Sequence, residues 1–274
     1  MDTVNRANLS SRLAALFSSV SFLVVVTVNA LANILPINGV NTGQLSDELP
    51  NLFVPAGLTF SIWGLIYLLL AGYSVAVLLV AFGKKSSEYW TAADGWIFSL
   101  NMAANAGWIF AWQYRQVSVS LALMLVILAT LAWLEERNAS RKATVGGKES
   151  AGALQRFLLS TPINVYLGWI CVATIANVTA LLVKAGWNGF GFDPRAWTVA
   201  LIAAGLAVGL LLTFLRKALA APLVIVWAFA GIVIKRTQAD GDYTRIVWIA
   251  AAAAAAILLA AAFARYVSSK TKRA

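Results

Sequence analysis

A chain of 274 residues that is 61% hydrophobic and 12% charged departs from water-soluble domains, where charged residues make up about a quarter. The formal net charge is +10, but the basic residues stand in short loops and tails beside apolar runs, where they orient a chain in a bilayer rather than bind nucleic acid. Histidine is absent and Cys171 is the single cysteine, which excludes an internal disulfide, a multi-thiolate metal site and the commonest metal ligand and general base.

Apolar runs long enough to cross a bilayer recur along the chain, and about 20 such residues suffice for a helical crossing. A basic N-terminal tail, residues 1–12, precedes a first span from Leu13 to Leu35 that stops at Pro36. The second runs from Leu58 to Gly83, before Lys84 and Lys85, and the third from Ala92 to Tyr114. Arg115 and Gln116 separate it from a fourth that reaches Leu134. The charged segment Glu135 to Arg156 reads as a solvated loop, and a fifth span follows from Phe157 to Val183. Three more extend from Ala196 to Leu215, Ala218 to Ile234 and Ile246 to Ala264, within a C-terminal extension of residues 186–267 that ends in a basic tail, 268–274. The fold class is therefore all-α, a polytopic membrane protein with about eight transmembrane helices.

The 21 basic residues support an even number of crossings. Only Arg115, Lys184, Arg195, Lys235, Arg236 and Arg245 fall on one side, and the other fifteen fall opposite. Positive charge accumulates inside, so both termini are expected in the cytoplasm, in a bacterial plasma membrane. A competing reading of the start is a signal peptide, with Arg6 and Arg12 before the apolar core and a cleavage site at Ala30-Leu31-Ala32; the apolar run is long for that.

Trp90, Trp133, Trp187, Trp197 and Trp248 lie near span ends, as an interfacial aromatic belt requires. Trp63, Trp108, Trp112 and Trp169 lie deeper. Asn101, Asn105, Trp108 and Trp112 recur at steps of four, three and four, within about 60° of one another on a helix. Tyr166, Trp169, Ala173 and Asn177 form a second such stripe, and Ser18, Asn29 and Asn33 share a face of the first span. Lipid offers an amide no hydrogen bond, so these faces are expected to point into the bundle, either as polar glue between helices or around a ligand. Indole and phenol rings suit stacking on a flat ligand, and a few amides would orient it. Asp94 shares the third-span face and stands near the helix start, where a carboxylate favours the dipole.

Three of these segments together resemble the tryptophan-rich sensory protein/translocator protein family (TspO/MBR, the peripheral-type benzodiazepine receptors). Pro55, Trp63 and Tyr67 match the proline and Trp-x-x-x-Tyr of the family's second helix. Asn105, Trp108 and Trp112 match its third, and Tyr166, Trp169, Ala173 and Asn177 its fifth. The chain departs in having Ser61 and Ile62 where a proline normally precedes Trp63, and Pro162 in place of a proline beside Tyr166.

The resemblance covers about residues 13–185 and implies a five-helix ligand-binding bundle, with a pocket closed by the loop between the first two spans. It implies binding of a tetrapyrrole such as porphyrin or haem, or another flat hydrophobic ligand, in a sensing, regulatory or transport role, commonly as a homodimer. No cofactor is required for that role. The expected ligand-binding set is Asn29, Asn33, Pro55, Trp63, Tyr67, Asn101, Asn105, Trp108, Trp112, Tyr166, Trp169, Ala173 and Asn177. The loop after Pro36 carries Asp47 and Glu48 and no cation, so Arg115, Arg195, Arg236 and Arg245 are the candidates to offset a ligand's carboxylates. The alternative is a secondary transporter of a small neutral or amphipathic solute, although no span interior carries the charge that proton coupling uses. An enzyme finds no support, because no nucleophile is paired with a base.

Overall fold

The computed structural model describes residues 9–35, 37–83, 89–145, 152–238 and 242–271. Among them the regular structure is helical: α1 (Leu9–Ile34), a short α2 (Thr42–Asp47), α3 (Ile62–Phe82), α4 (Ala92–Gln113), α5 (Val117–Val145), α6 (Ala153–Lys184), α7 (Pro194–Phe214), α8 (Ala220–Gln238) and α9 (Arg245–Thr271). Pro36, Lys84 and Lys85 and the ends of both basic tails, on which the expected boundaries partly rested, lie outside the described residues.

Among the described residues, seven helices are long and apolar enough to cross a membrane. The third of the eight expected spans, α4, is not among them, because Asp94, Asn101, Asn105 and Gln113 interrupt its apolar sequence. Thirteen of its 22 residues are buried against neighbouring helices, while Trp96, Leu100 and Phe110 face outward. A helix lined with amides is tolerated in lipid when neighbouring helices cover it.

The packing closes a ring in the order α1, α3, α6, α5, α4 and back to α1. Small residues set the closest approaches. Gly95 of α4 lies where a Cβ would come within 2.9 Å of Ala14 Cβ on α1. Contacts of Ala14 with Gly95 and of Ala32 with Gln113 keep one offset, so α1 and α4 run parallel. Asn101 with Ile127 and Asp94 with Arg141 show α4 and α5 to be antiparallel. Outside the ring, α8 packs on α6 and α9, and α7 on α9 and α8. A Cβ on Gly168 of α6 would overlap the backbone of Ala221, so α8 seats directly on the α6 main chain.

Two expectations are corrected here. The segment from Glu135 is not loop at its start: α5 continues to Val145. Arg137 and Arg141, one turn apart, share the face that meets Asp94, at 2.5 and 2.6 Å, while buried Glu135 accepts from Asn164 Nδ2 at 2.9 Å. Asp94 also closes a capping box with Thr91, accepting from its backbone N–H at 2.7 Å. Trp90, expected in the interfacial belt, is buried at 4% exposure because the chain folds it under Gly95; Trp133, at 57%, is outward as expected.

Candidate functional site

The two stripes on α4 and α6 divide along their length into a hydrogen-bonded part and a part that lines a cavity. In the first part Asn101 donates through Nδ2 to the Ile127 carbonyl, 3.0 Å, and to Thr130 Oγ1, 2.7 Å, tying α4 to α5. Asn105 donates to the Tyr166 hydroxyl, tying α4 to α6. These three side chains are at most 1% exposed and serve as interhelical bonds. Tyr67 stacks on Trp63 with ring centroids 5.5 Å apart, and its buried hydroxyl has no partner among the described residues.

One turn further along both helices the side chains no longer meet. Trp108 and Trp112 of α4 lie stacked, 5.8 Å apart and 14° from parallel, and face Trp169, Ala173 and Asn177 of α6 across a cavity of about 50 Å³. Trp63 of α3 and Phe60 bound it beside Trp169, with edge-on ring contacts at 6.2 and 5.8 Å. Pro55, with Thr42 and Ser46 of α2, forms the roof. Val172 and Ala176 complete the α6 wall. The walls are almost entirely apolar ring and methyl surface. Asn177 is held by Ser120, whose hydroxyl donates to its Oδ1 at 3.3 Å.

Two residues that line this cavity carry donors without a partner. The indole Nε1 atoms of Trp108 and Trp169 are buried and have no hydrogen-bond partner among the described residues. A buried donor left unpaired costs roughly 1–3 kcal/mol. The contrast with Trp112 is direct, since its Nε1 donates to the Thr42 carbonyl at 3.2 Å.

The roof is built by the connection between α1 and α3. Asn41 and Gln44 form a capping box that starts α2, with mutual bonds of 2.9 and 3.0 Å. Gln113, fully buried, donates through Nε2 to the Ala32 carbonyl at 3.2 Å and to Thr42 Oγ1 at 3.4 Å, while its backbone carbonyl accepts from Asn38 Nδ2. Asn51 then receives the backbone N–H groups of Phe53 and Val54, both at 3.1 Å, and turns the chain toward Pro55.

Asn29 and Asn33 do not reach the cavity. Asn33 is exposed and donates to the Asn29 carbonyl at 2.9 Å, so the polar wall expected from α1 is corrected to a local amide pair in its last two turns. Ser18, though buried, is satisfied by the Ala15 carbonyl. The arginines expected to offset a charged ligand are also committed elsewhere. Arg115 forms a two-pronged pair with Glu48 at 2.7 and 2.8 Å, Arg195 pairs with Asp193 at 2.6 Å, and Arg245 with Asp242 at 3.1 Å. Arg236 donates to the carbonyls of Asn51 and Val54.

These features define a helical membrane protein whose interior holds a cavity walled by indoles under a folded connection. Residues 15–264 match the family model of TSPO-like proteins, and the chain belongs to that family. The match runs through α7, α8 and most of α9, so the C-terminal helices are part of the family pattern and not a foreign appendage. No curated protein and no solved structure matches the chain.

Proposed function

We propose that the chain binds a flat hydrophobic ligand between Trp108, Trp112, Trp169 and Trp63, in a sensing, regulatory or transport role. The observation that carries this reading is a cavity walled by four indoles, two of which, Trp108 and Trp169, have buried N–H groups without a partner among the described residues. A ligand with a hydrogen-bond acceptor at its edge would satisfy them while its faces stack on the rings. Such a role asks for binding and needs no catalytic group.

Size sets a condition on the ligand. A cavity that holds benzene in a protein core measures about 150 Å³, and drug-sized sites about 300–1,000 Å³. A tetrapyrrole does not fit the 50 Å³ space as it stands. Tetrapyrroles remain within the proposed ligand class only if α2 and its connection lift away from the rings. Smaller two-ring aromatics need a smaller displacement. The excess of basic residues on one side supports a membrane orientation with both termini cytoplasmic.

The test is a titration of the purified protein with protoporphyrin and, separately, with naphthoquinone, followed by quenching of tryptophan fluorescence. Replacing Trp108 and Trp169 together by alanine should weaken binding of at least one probe tenfold or more, given two lost stacking faces of roughly 1 kcal/mol each. Quenching unchanged by the substitutions would mean partition into detergent and would contradict the reading. Ion-gradient-driven solute uptake by vesicles, with no saturable quenching, would favour the transporter.

A further inference from the structure

Over its second half, helix α8 lies against residues 51–59, the segment that leads from the roof of the cavity to α3. Near its middle, Trp227 Nε1 donates to the Thr59 carbonyl at 2.9 Å. One turn on, the Gly231 carbonyl accepts from the backbone N–H of Ala56 at 3.0 Å. A Cβ on Gly231 would overlap Thr59 Oγ1 and come within 2.9 Å of Pro55 Cβ, so only glycine allows this approach. Further along, Arg236 donates to the Asn51 and Val54 carbonyls at 3.2 and 3.3 Å. These contacts fix residues 51–59, the root from which the roof projects.

The α2 end of the roof is held by contacts of two kinds, since Thr42 accepts buried bonds from Trp112 and Gln113 of α4 while the end of α2 relies on ion pairs. The last residue of α2, Asp47, pairs with Lys235 of α8 at 2.5 Å, and Glu48 pairs with Arg115. Asp47 is 60% exposed and Glu48 42%, and exposed ion pairs are weak individually. The connection is thus pinned by buried contacts over residues 51–59 and at Thr42, and the C-terminal end of α2 between them is closed by two breakable pairs.

We infer that α2 is a lid hinged on α8 and latched by the Lys235–Asp47 and Arg115–Glu48 pairs, so that the C-terminal helices govern admission of the ligand to the cavity. A ligand of the proposed class is larger than the cavity of about 50 Å³, so a wall must move to admit it, and α2 is the wall held in part by exposed ion pairs. The inference rests on the cavity being a ligand site, but the latch itself is readable with no ligand present.

The experiment is amide hydrogen exchange over residues 42–48 in the full chain, for the wild type, Lys235→Asp and the charge-swapped pair Lys235→Asp with Asp47→Lys. Exchange in Lys235→Asp should rise roughly two- to fivefold across α2 and stay unchanged in α4 and α6, and the swapped pair should return it toward the wild-type rate. Naphthoquinone should also associate and dissociate faster with Lys235→Asp, by a similar factor. Equal exchange in all three proteins, or a rise that the swap does not reverse, would overturn the latch. Exchange that behaves as expected in proteins that bind no probe would leave the latch standing and remove the ligand reading.

Discussion

Asn105, Tyr166, Trp108 and Trp169 sit within one helical turn of each other on α4 and on α6, yet they do two different jobs. The amide and phenol meet and bond; the indoles do not meet and leave space. Their periodicity placed all four on interior faces, because any hydrogen-bonding group must turn from lipid. Spacing alone did not tell which would pair and which would line a void, since that depends on the distance between α4 and α6 at each level. The same limit applies to Asn29 and Asn33, whose one-turn separation lets Asn33 donate to Asn29 near the helix end. Residues of the roof such as Thr42, Ser46 and Phe60 carried no signal of cavity contact, although Asn41 and Gln44 spell a capping box legible as the start of α2. Replacing Tyr166 by phenylalanine tests the pairing role. It should destabilise the protein by about 1–3 kcal/mol, because Asn105 would be left buried without its acceptor, and thermal unfolding in detergent measures it.

Among the elements, α4 and α5 show most plainly how local pattern and packing combine. Their hairpin was readable from Arg115 and Gln116 between two apolar runs. The extension of α5 past Leu134 was not, because a run of charge looks like a loop until its helical spacing is matched to Asp94 on another helix. Asp94 is 2% exposed and holds two arginines, so Asp94→Asn leaves both cations short of their counter-charge. A loss near 3 kcal/mol is expected, at the low end for buried pairs, since Arg137 is 29% exposed and can turn to water. Chemical denaturation of the variant should show it; an unchanged midpoint would mean the triad contributes nothing net.

The latch on α2 has a pH signature. The hydrogen bond from Arg115 holds the Glu48 carboxyl below its ordinary value of 4.5. A carboxylate lowered in this way contributes in full above the ordinary value and loses that contribution as pH falls through the lowered one. Exchange at α2, corrected for its intrinsic pH dependence, should therefore be insensitive to Glu48 from neutral pH down to about 4.5 and respond only below it. Glu48→Gln should remove that response.

For the whole molecule, the helical membrane class and the approximate positions of its long helices followed from apolar runs and their breaks. The bilayer demands internal hydrogen bonding and so leaves little choice of structure. That α1, α3, α4, α5 and α6 form one bundle was expected only through the family resemblance carried by motifs on three helices, and the order of the ring was not foreseen. Nor was the place of α8 against the roof. It depends on Gly231 meeting Thr59, a contact between residues far apart in sequence with no shared pattern. The assembly that results presents a ring of helices around the cavity, with α8 bracing its roof.

The central claim is that Trp108 and Trp169 face a ligand inside that ring. Photolabelling of the protein in lipid vesicles with an azido-naphthoquinone, followed by mass mapping of the adducts, tests it most directly. Adducts concentrated on Trp63, Trp108, Trp169 and Phe60, and competed away by unlabelled naphthoquinone, are the predicted result. Labelling confined to outward side chains such as Leu68 and Trp133, with no competition, would contradict it.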